Sequence, residues 1–425
     1  MKKPLHIAIA GLSTVGGGTF KLLHENAQLI EARAGRPLKI VAVSARDKTK
    51  KRVAGIEKVQ WLDNALDLVN LPEVDIIVET IGGAEGVAKS LVEAALKAGK
   101  HVVTANKALI AHHGLKLAQL AEEKNVVLAY EAAVAAGIPV IKSLREGLAA
   151  NRFHNVAGIM NGTCNFILSS MWEQRRDFDW ALTEAQKIGY AEADPSFDID
   201  GIDTAHKIAI LTSLAFGCPV DFKSVNIEGI RDVSILDMEY AAELGYVIKL
   251  LAQSSLKKDG VLQRVHPCMV PRASTLGRLS GAYNGIIIDG DAAGRITLEG
   301  LGAGEGPTSS SMVGDIIDIA RGASYKPFSI PVAQLKALPT ASMDKLTSAY
   351  YVRMTADATA PIHAVFEKVG IALQKTKVFA ADNQPQRVVC ITQETQEHTM
   401  KTVLALLKTL ECVSEGPQMI RMEAL

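Results

Sequence analysis

LHIAIAGLSTVGGGTFKLLHEN, residues 5–26, joins a short apolar run to a glycine-rich turn and then to residues with helical spacing. Strand, turn and helix in that order are the context a dinucleotide-binding fingerprint requires. Gly11 permits the tight turn. Gly16 lets the helix pack closely on the strand, and free backbone N–H groups at the helix start face a pyrophosphate. Ser13 stands where the second glycine of G-x-G-x-x-G is expected, and any tight strand-to-helix turn can use glycine, so the turn alone is a weak signal. Gly11, Ser13, Thr14, Val15 and Gly16 are the candidate cofactor contacts here.

The flanking sequence strengthens that reading. LKIVAVSA (38–45), VDIIVETIG (74–82), HVVTAN (101–106) and VVLAYEAAV (126–134) are apolar runs. Helical stretches such as GVAKSLVEAALKAG (86–99) and GLKLAQLAEEKN (114–125) separate them. Such alternation predicts an α/β fold with a doubly wound, mostly parallel sheet of Rossmann type over residues 1–140. Thr80, at the end of the second of these runs, joins the candidate cofactor residues. The run 42–52 reads AVSARDKTKKR, with no acid at the strand end to bind a free ribose hydroxyl. Arg46, then Lys48, Lys50, Lys51 and Arg52, suit a 2′-phosphate better, which favours NADP over NAD, although an ordinary solvated basic loop competes.

At 425 residues, two or three domains are expected. The 46 lysines and arginines balance 46 acids, which argues against a partner chosen by bulk charge, such as nucleic acid or an anionic membrane. MKKPLHIAIAG reads as a first strand and not as a signal peptide, and no apolar run approaches a bilayer span. Cys164, Cys218, Cys268, Cys390 and Cys412 are scattered, with no metal-like CxxC pair, so a reducing cytoplasm is expected.

In DIDGIDTAHK (198–207), Asp203 and Lys207 are four apart, which puts them on one face of a helix. A solvated ion pair is the ordinary reading of such spacing. Glu192, Asp194, Asp198 and Asp200 crowd the same stretch and leave acids in excess. In NGTCNFIL (161–168), Asn161 and Thr163 can cap the following helix. Cys164 admits a second reading, a thiolate nucleophile in a phosphorylating semialdehyde dehydrogenase. A small residue at a loop-to-helix turn is the simpler alternative.

Seven stretches now stand in order: GLSTVGGG, VETIGG, VVTANKALI, EAAVAAGIPVI, GIMNGTCNFIL, GYAEADPSFDIDGIDTAHK and GAGEGPTSSSMVGD. Together they resemble homoserine dehydrogenase, which interconverts aspartate semialdehyde and homoserine with NAD(P)H in threonine and methionine biosynthesis. The resemblance implies that Lys207 is the proton donor to the aldehyde oxygen, with Asp203 as its partner and Lys107 as a second lysine facing nicotinamide and substrate. It implies that Glu192 binds the substrate ammonium, with Asp198 beside it. Gly302 and Glu305 would meet the cofactor. Backbone oxygens of Val134, Ala136 and Ile138, with Glu131 close by, would hold a monovalent cation, sodium or potassium. A homodimer or homotetramer is expected.

From about residue 260, VLQRVHPCMV, GAYNGIIIDG and AGRITLEGLGAGEG predict a partly antiparallel sheet. Residues 141–325 are therefore read as an α+β substrate and dimerisation domain, with 301–325 packing back on the first domain. Pro327, Pro331 and Pro339 mark a linker over 326–347. The remainder, 348–425, reads strand–helix–strand–strand–helix–strand, a ferredoxin-like unit. It resembles an ACT domain, the amino-acid-sensing module of many homoserine dehydrogenases, whose usual effector is threonine. Pro361 is followed by Ile362 where that module usually has glycine, so a structural role competes with effector binding.

Overall fold

The computed structural model describes residues 2–379 and 386–424; Met1, Leu425 and Ala380, where the IALQKTKVFA run ends, lie outside the described residues. The first sheet contains β1 (Leu5–Ala10), β2 (Leu38–Ser44), β3 (Gln60–Trp61), β4 (Ile76–Glu79), β5 (His101–Thr104) and β6 (Leu128–Ala129). Their spatial order is β3-β2-β1-β4-β5-β6, and every pairing is parallel. The chain switches direction across the sheet between β1 and β4, so a crevice opens at the carboxyl ends of these strands. Helix α1 (Thr14–Glu25) follows β1, and α2 (Lys107–Lys124) follows β5.

Two glycines make the first turn possible. Gly11 has φ of +93°, a region that side chains with a Cβ rarely adopt. A Cβ on Gly16 would lie 2.0 Å from the Gly11 carbonyl oxygen and 2.6 Å from Thr80 Oγ1. The run VVLAYEAAV yields only two strand residues, because the chain turns into a 3₁₀ segment at Glu131–Ala133. Strand β3 carries no sequence signal of its own; it is two residues long.

The second sheet is larger. It holds β7 (Phe153–Ile159), β8 (Asn226–Ile227), β9 (Tyr246–Lys257), β10 (Gly260–Pro271), β11 (Tyr283–Gly290) and β12 (Gly294–Leu301). It continues through β13 (Thr347–Ala356), β14 (Leu373–Phe379), β15 (Arg387–Thr392), β16 (Thr395–Gln396) and β17 (Val413–Met422). The order is β12-β11-β7-β9-β10-β17-β13-β15-β14, with β8 on β10 and β16 on β13. Helices α3 (Gly162–Gln174) and α4 (Ile202–Phe216) join its core. Helix α5 (Glu305–Arg321) returns to the first sheet: Met312, Val313, Ile316 and Ile319 share a core with Ile7, Ile9 and Val43.

The strands β17-β13-β15-β14, with α6 (Ala360–Lys368) and α7 (Glu397–Leu407), form the split βαββαβ unit. This unit has no separate sheet. Strand β17 pairs in parallel with β10 through Cys268–Arg421 and Met269–Met422, and so joins the two halves. The proline-rich segment before it is a packed strap. Tyr130 Oη donates to the Pro327 carbonyl at 2.5 Å, and Phe328 is fully buried against the site of Gly114. Among the described residues no helix is long and apolar enough to cross a membrane.

Buried charge reinforces the junction. Asp237 is wholly buried and accepts from Tyr351 Oη at 2.8 Å and Arg353 Nε at 2.6 Å. Arg421 donates to Glu228 at 2.8 Å and to Glu397 at 2.5 Å. Removing one member of a buried pair strands the other. Asp237→Ala should therefore destabilise the protein by about 3–5 kcal/mol, read as a lower urea midpoint with early proteolysis of the C-terminal unit.

Candidate active site

The crevice at the carboxyl ends of β1, β4 and β5 opens toward α3 and α4. A cavity of about 470 Å³ lies there, lined on the first-sheet side by Val15, Lys107 and Ala136. Asn161, Glu192, Asp198, Asp203 and Lys207 line the opposite side, with Gly302 on a third. A second cavity, about 210 Å³, runs beside the glycine turn and is lined by Ser13, Thr14, Lys50, Lys51, Arg52 and Glu305.

Helix α4 carries the central group. Gly201, at φ of +84°, turns the chain into α4, and Asp203 falls in its first turn, where a carboxylate is favoured by the helix dipole. Asp203 is 3% exposed, yet it faces two ammonium groups: Lys207 Nζ at 2.7 Å from Oδ2 and Lys107 Nζ at 3.1 Å from Oδ1. Asn161 Nδ2 donates to the same Oδ2 at 2.7 Å and to Asp198 Oδ1 at 2.8 Å. Burial alone would raise the Asp203 carboxyl, but the Lys207 and Lys107 charges and these hydrogen bonds outweigh it and hold it well below the usual range. Asp203 in turn keeps the Lys107 ammonium above its usual value. Asp198 goes the other way, pushed up by burial and by the neighbouring Asp203 charge.

Lys207 Nζ also donates to the Met160 carbonyl at 2.7 Å. An ammonium has three donors; two are held by Met160 and Asp203, and one is left for the cavity. Lys107 opens α2, with Asn106 as its cap, and its ammonium lies 5.5 Å from the centre of the Phe197 ring. Glu192 is exposed at the cavity rim.

The structure brings Lys107, Asp198, Asp203, Lys207 and Glu192 into one cavity, with Val15, Ala136 and Gly302 on its walls. Ser13, Thr14 and Glu305 line the neighbouring one, while Gly11, Gly16 and Thr80 form the turn behind them. Arg46 is exposed past the end of β2 and does not line either cavity. Arg52 takes the inward position, donating to the Leu12 and Asp47 carbonyls; the KTKKR run flagged the charge but not which cation folds back. Asn161 is the other residue whose part was missed. Its cap to Cys164 N–H, at 2.7 Å, was legible; its bridge between Asp198 and Asp203 joins segments distant in sequence.

In the 131–138 loop, the Glu131 carboxylate already accepts from the Ile141 and Lys142 N–H groups at 2.9 and 2.8 Å. The Ala136 carbonyl accepts from Ser311, and the Ile138 carbonyl from Val140 N–H at 2.7 Å. Any cation held here would therefore rest on main-chain oxygens that keep a second lone pair, a donor type suited to hard cations. Among the described residues no group of three or more His, Cys, Asp or Glu side chains is disposed to hold a metal.

Residues 139–317 match the family described as homoserine dehydrogenase, and residues 11–131 match the homoserine dehydrogenase NAD binding domain. The chain belongs to the homoserine dehydrogenase family. It is 42% identical to the homoserine dehydrogenase of Neisseria gonorrhoeae over 100% of this chain and 99% of that protein. The crystal structure of a homoserine dehydrogenase from Thiobacillus denitrificans superposes with a TM-score of 0.93 at 40% identity, covering 99% of this chain and 98% of that one. A hyperthermophilic archaeal homoserine dehydrogenase in complex with NADPH gives a TM-score of 0.64 at 28% identity, over 74% of this chain and 97% of that one. This chain is accordingly an NAD(P)-dependent oxidoreductase, and the reading of Cys164 as a thioester-forming nucleophile falls. Its geometry agrees: Cys164 is fully buried, its thiol faces the Asp198 carbonyl at 3.3 Å, and burial pushes its pKa far up.

Two outcomes follow for a homoserine dehydrogenase built this way. Cys164→Ala should keep turnover within about twofold, measured as NADPH formation. Because Asp203 is held low, its contribution to stability is present above the unfolded carboxyl pKa and is lost as pH falls through the folded one. The stability gap between wild type and Asp203→Asn should be constant above about pH 5 and shrink below it, as read by urea unfolding across pH.

Proposed function

We propose that this chain catalyses the reversible NADP(H)-dependent reduction of L-aspartate semialdehyde to L-homoserine, as a cytoplasmic homodimer or homotetramer in threonine and methionine biosynthesis. The observation that carries this reading is the pair of lysines on one buried carboxylate, in a cavity beside the glycine turn. A nicotinamide cofactor held beside the glycine turn would supply hydride to the carbonyl carbon. Negative charge then builds on the carbonyl oxygen, and the one free N–H of Lys207 stabilises it and delivers the proton. Asp203 fixes the direction of that N–H and keeps Lys107 in place as a second positive charge. Glu192 and Asp198, which line the same cavity, receive the substrate ammonium. In the oxidation of homoserine, Lys207 takes the hydroxyl proton back.

Cofactor choice rests on the basic edge of the smaller cavity. Lys50, Lys51 and Arg52 suit a 2′-phosphate, and the archaeal relative carries NADPH. Ser13, Thr14, Val15 and the α1 start would hold the pyrophosphate, and Gly302 and Glu305 the nicotinamide side. Main-chain oxygens of Val134, Ala136 and Ile138 would hold sodium or potassium and stiffen the loop between cofactor and substrate. The C-terminal βαββαβ unit serves as an ACT-like regulatory domain with threonine as its effector. The archaeal relative is covered almost entirely by 74% of this chain, so the reaction does not need every segment present here.

The test is NADPH formation from L-homoserine and NADP⁺, with parallel NAD⁺ and threonine arms. Turnover favouring NADP⁺ is expected. No turnover with either cofactor in the presence of potassium or sodium would sink the proposal. Lys207→Ala should lower kcat by about 10²–10⁴-fold while leaving NADP⁺ affinity unchanged, measured by fluorescence titration. Loss of both together would make Lys207 a structural residue.

A further inference from the structure

A histidine pair ties the two lysine-bearing helices together. His112 lies on α2, five residues after Lys107, and His206 lies on α4, immediately before Lys207. Their Nε2 atoms are 3.1 Å apart, with the rings edge to face at 5.1 Å. Five residues of helix span about 7.5 Å, so the contact sits within two turns of both lysines. Phe222 packs on both imidazoles, at 4.3 Å from His206 and 5.2 Å from His112. Phe197 touches His206 at 5.5 Å and also underlies the Lys107 ammonium at 5.5 Å.

His206 is 3% exposed, and its Nδ1 is buried with no hydrogen-bond partner. Burial, His112 and the nearby Lys107 and Lys207 charges pull His206 down to about 4 against the opposing pull of Asp203, so it is neutral at working pH. A neutral imidazole carries one N–H. The arrangement that strands no buried N–H puts that hydrogen on Nε2, pointing at His112. His112 is exposed on its helix, and its Nε2 is the acceptor that faces this hydrogen. Its neighbour His113 is engaged elsewhere, with Glu85 at 2.5 Å.

We propose that the His206–His112 hydrogen bond is a latch between the cofactor domain and α4, and that both histidines are positioning residues that set the spacing of Lys107 and Lys207 on Asp203. This rests on the reading of those lysines as the working groups. The latch is a second polar link between α2 and α4 beside the Lys107–Asp203 ion pair, so losing it leaves that ion pair without a second fixed point and lets α2 shift relative to α4. Displacements of about 1 Å at reacting groups can cost up to about a hundredfold in rate.

The experiment compares His112→Leu and His112→Gln with wild type. His112 is exposed, so both variants are expected to fold. His112→Leu, which cannot accept, should lower kcat for homoserine oxidation about tenfold with NADP⁺ affinity and thermal midpoint unchanged. His112→Gln, whose amide oxygen can accept from His206, should return kcat to within about twofold of wild type. An unchanged kcat in His112→Leu overturns the latch, as does a His112→Gln as slow as His112→Leu. A fall in kcat matched by losses of cofactor affinity and thermal midpoint also overturns it, since that marks a general packing contact. Wild-type turnover of homoserine tests the underlying reading separately, and the ratio of variant to wild type tests the latch.

Discussion

One buried carboxylate holds this site together. Asp203 is almost fully enclosed, and an enclosed anion is costly unless opposite charge and hydrogen bonds surround it. The fold meets that cost by bringing Lys107 from the first domain and Lys207 from the second to its two oxygens. The i, i+4 spacing on α4 supplies one of these contacts from local sequence. The other exists only when β5, α2 and α4 are assembled, so the carboxylate senses whether the two domains are correctly joined. Asn161 adds a third contact and ties Asp198 into the same network.

How far the sequence foretold this depends on the range of the interaction. The glycine turn was legible because Gly11 and Gly16 answer to a local steric demand, a positive φ and a Cβ that would strike the turn carbonyl. The six-stranded sheet followed from alternating apolar runs, though β3 is too short to have a pattern. Asp203 with Lys207 was legible as a spacing, but spacing alone describes a surface ion pair equally well, and the family resemblance had to decide. Arg52 and the bridging side of Asn161 were not legible. Each depends on where a loop folds back, and a run of basic residues or an Asn before a helix does not encode that direction.

The junction of the two halves of the larger sheet was hidden for a similar reason. The βαββαβ order of the C-terminal unit reads directly from its apolar runs, and that order suggests an appended module. Strand pairing leaves no mark on the pairing strands themselves, so nothing in GPQMIRMEAL announces β10 as a neighbour. The consequence is mechanical. An exposed strand edge is a liability, and β17 covers the edge of β10 while Arg421 anchors Glu228 and Glu397. Glu228 precedes Gly229, whose Cα lies so close to the Ile199 carbonyl that a Cβ there would be 2.3 Å from it. Ile230 N–H donates to the same carbonyl at 2.8 Å. A shift of β17 would thus be felt one residue from Asp198.

The distribution of charge in the cavity completes the argument. Two ammonium groups share the Asp203 carboxylate, and Lys207 is held as well by the Met160 carbonyl. Glu192, Asp194 and Asp198 line the same cavity, and Asn161 ties Asp198 directly to Asp203. A cavity lined by both signs of charge suits a ligand that carries an ammonium and an oxygen that is negative or becoming so. An amino acid whose side-chain aldehyde is being reduced has that character: a fixed ammonium and an oxygen that gains charge only as hydride arrives. Glu192, Asp194 and Asp198 of GYAEADPSFDID, which read as a surface feature by spacing alone, line the cavity that holds the two lysines.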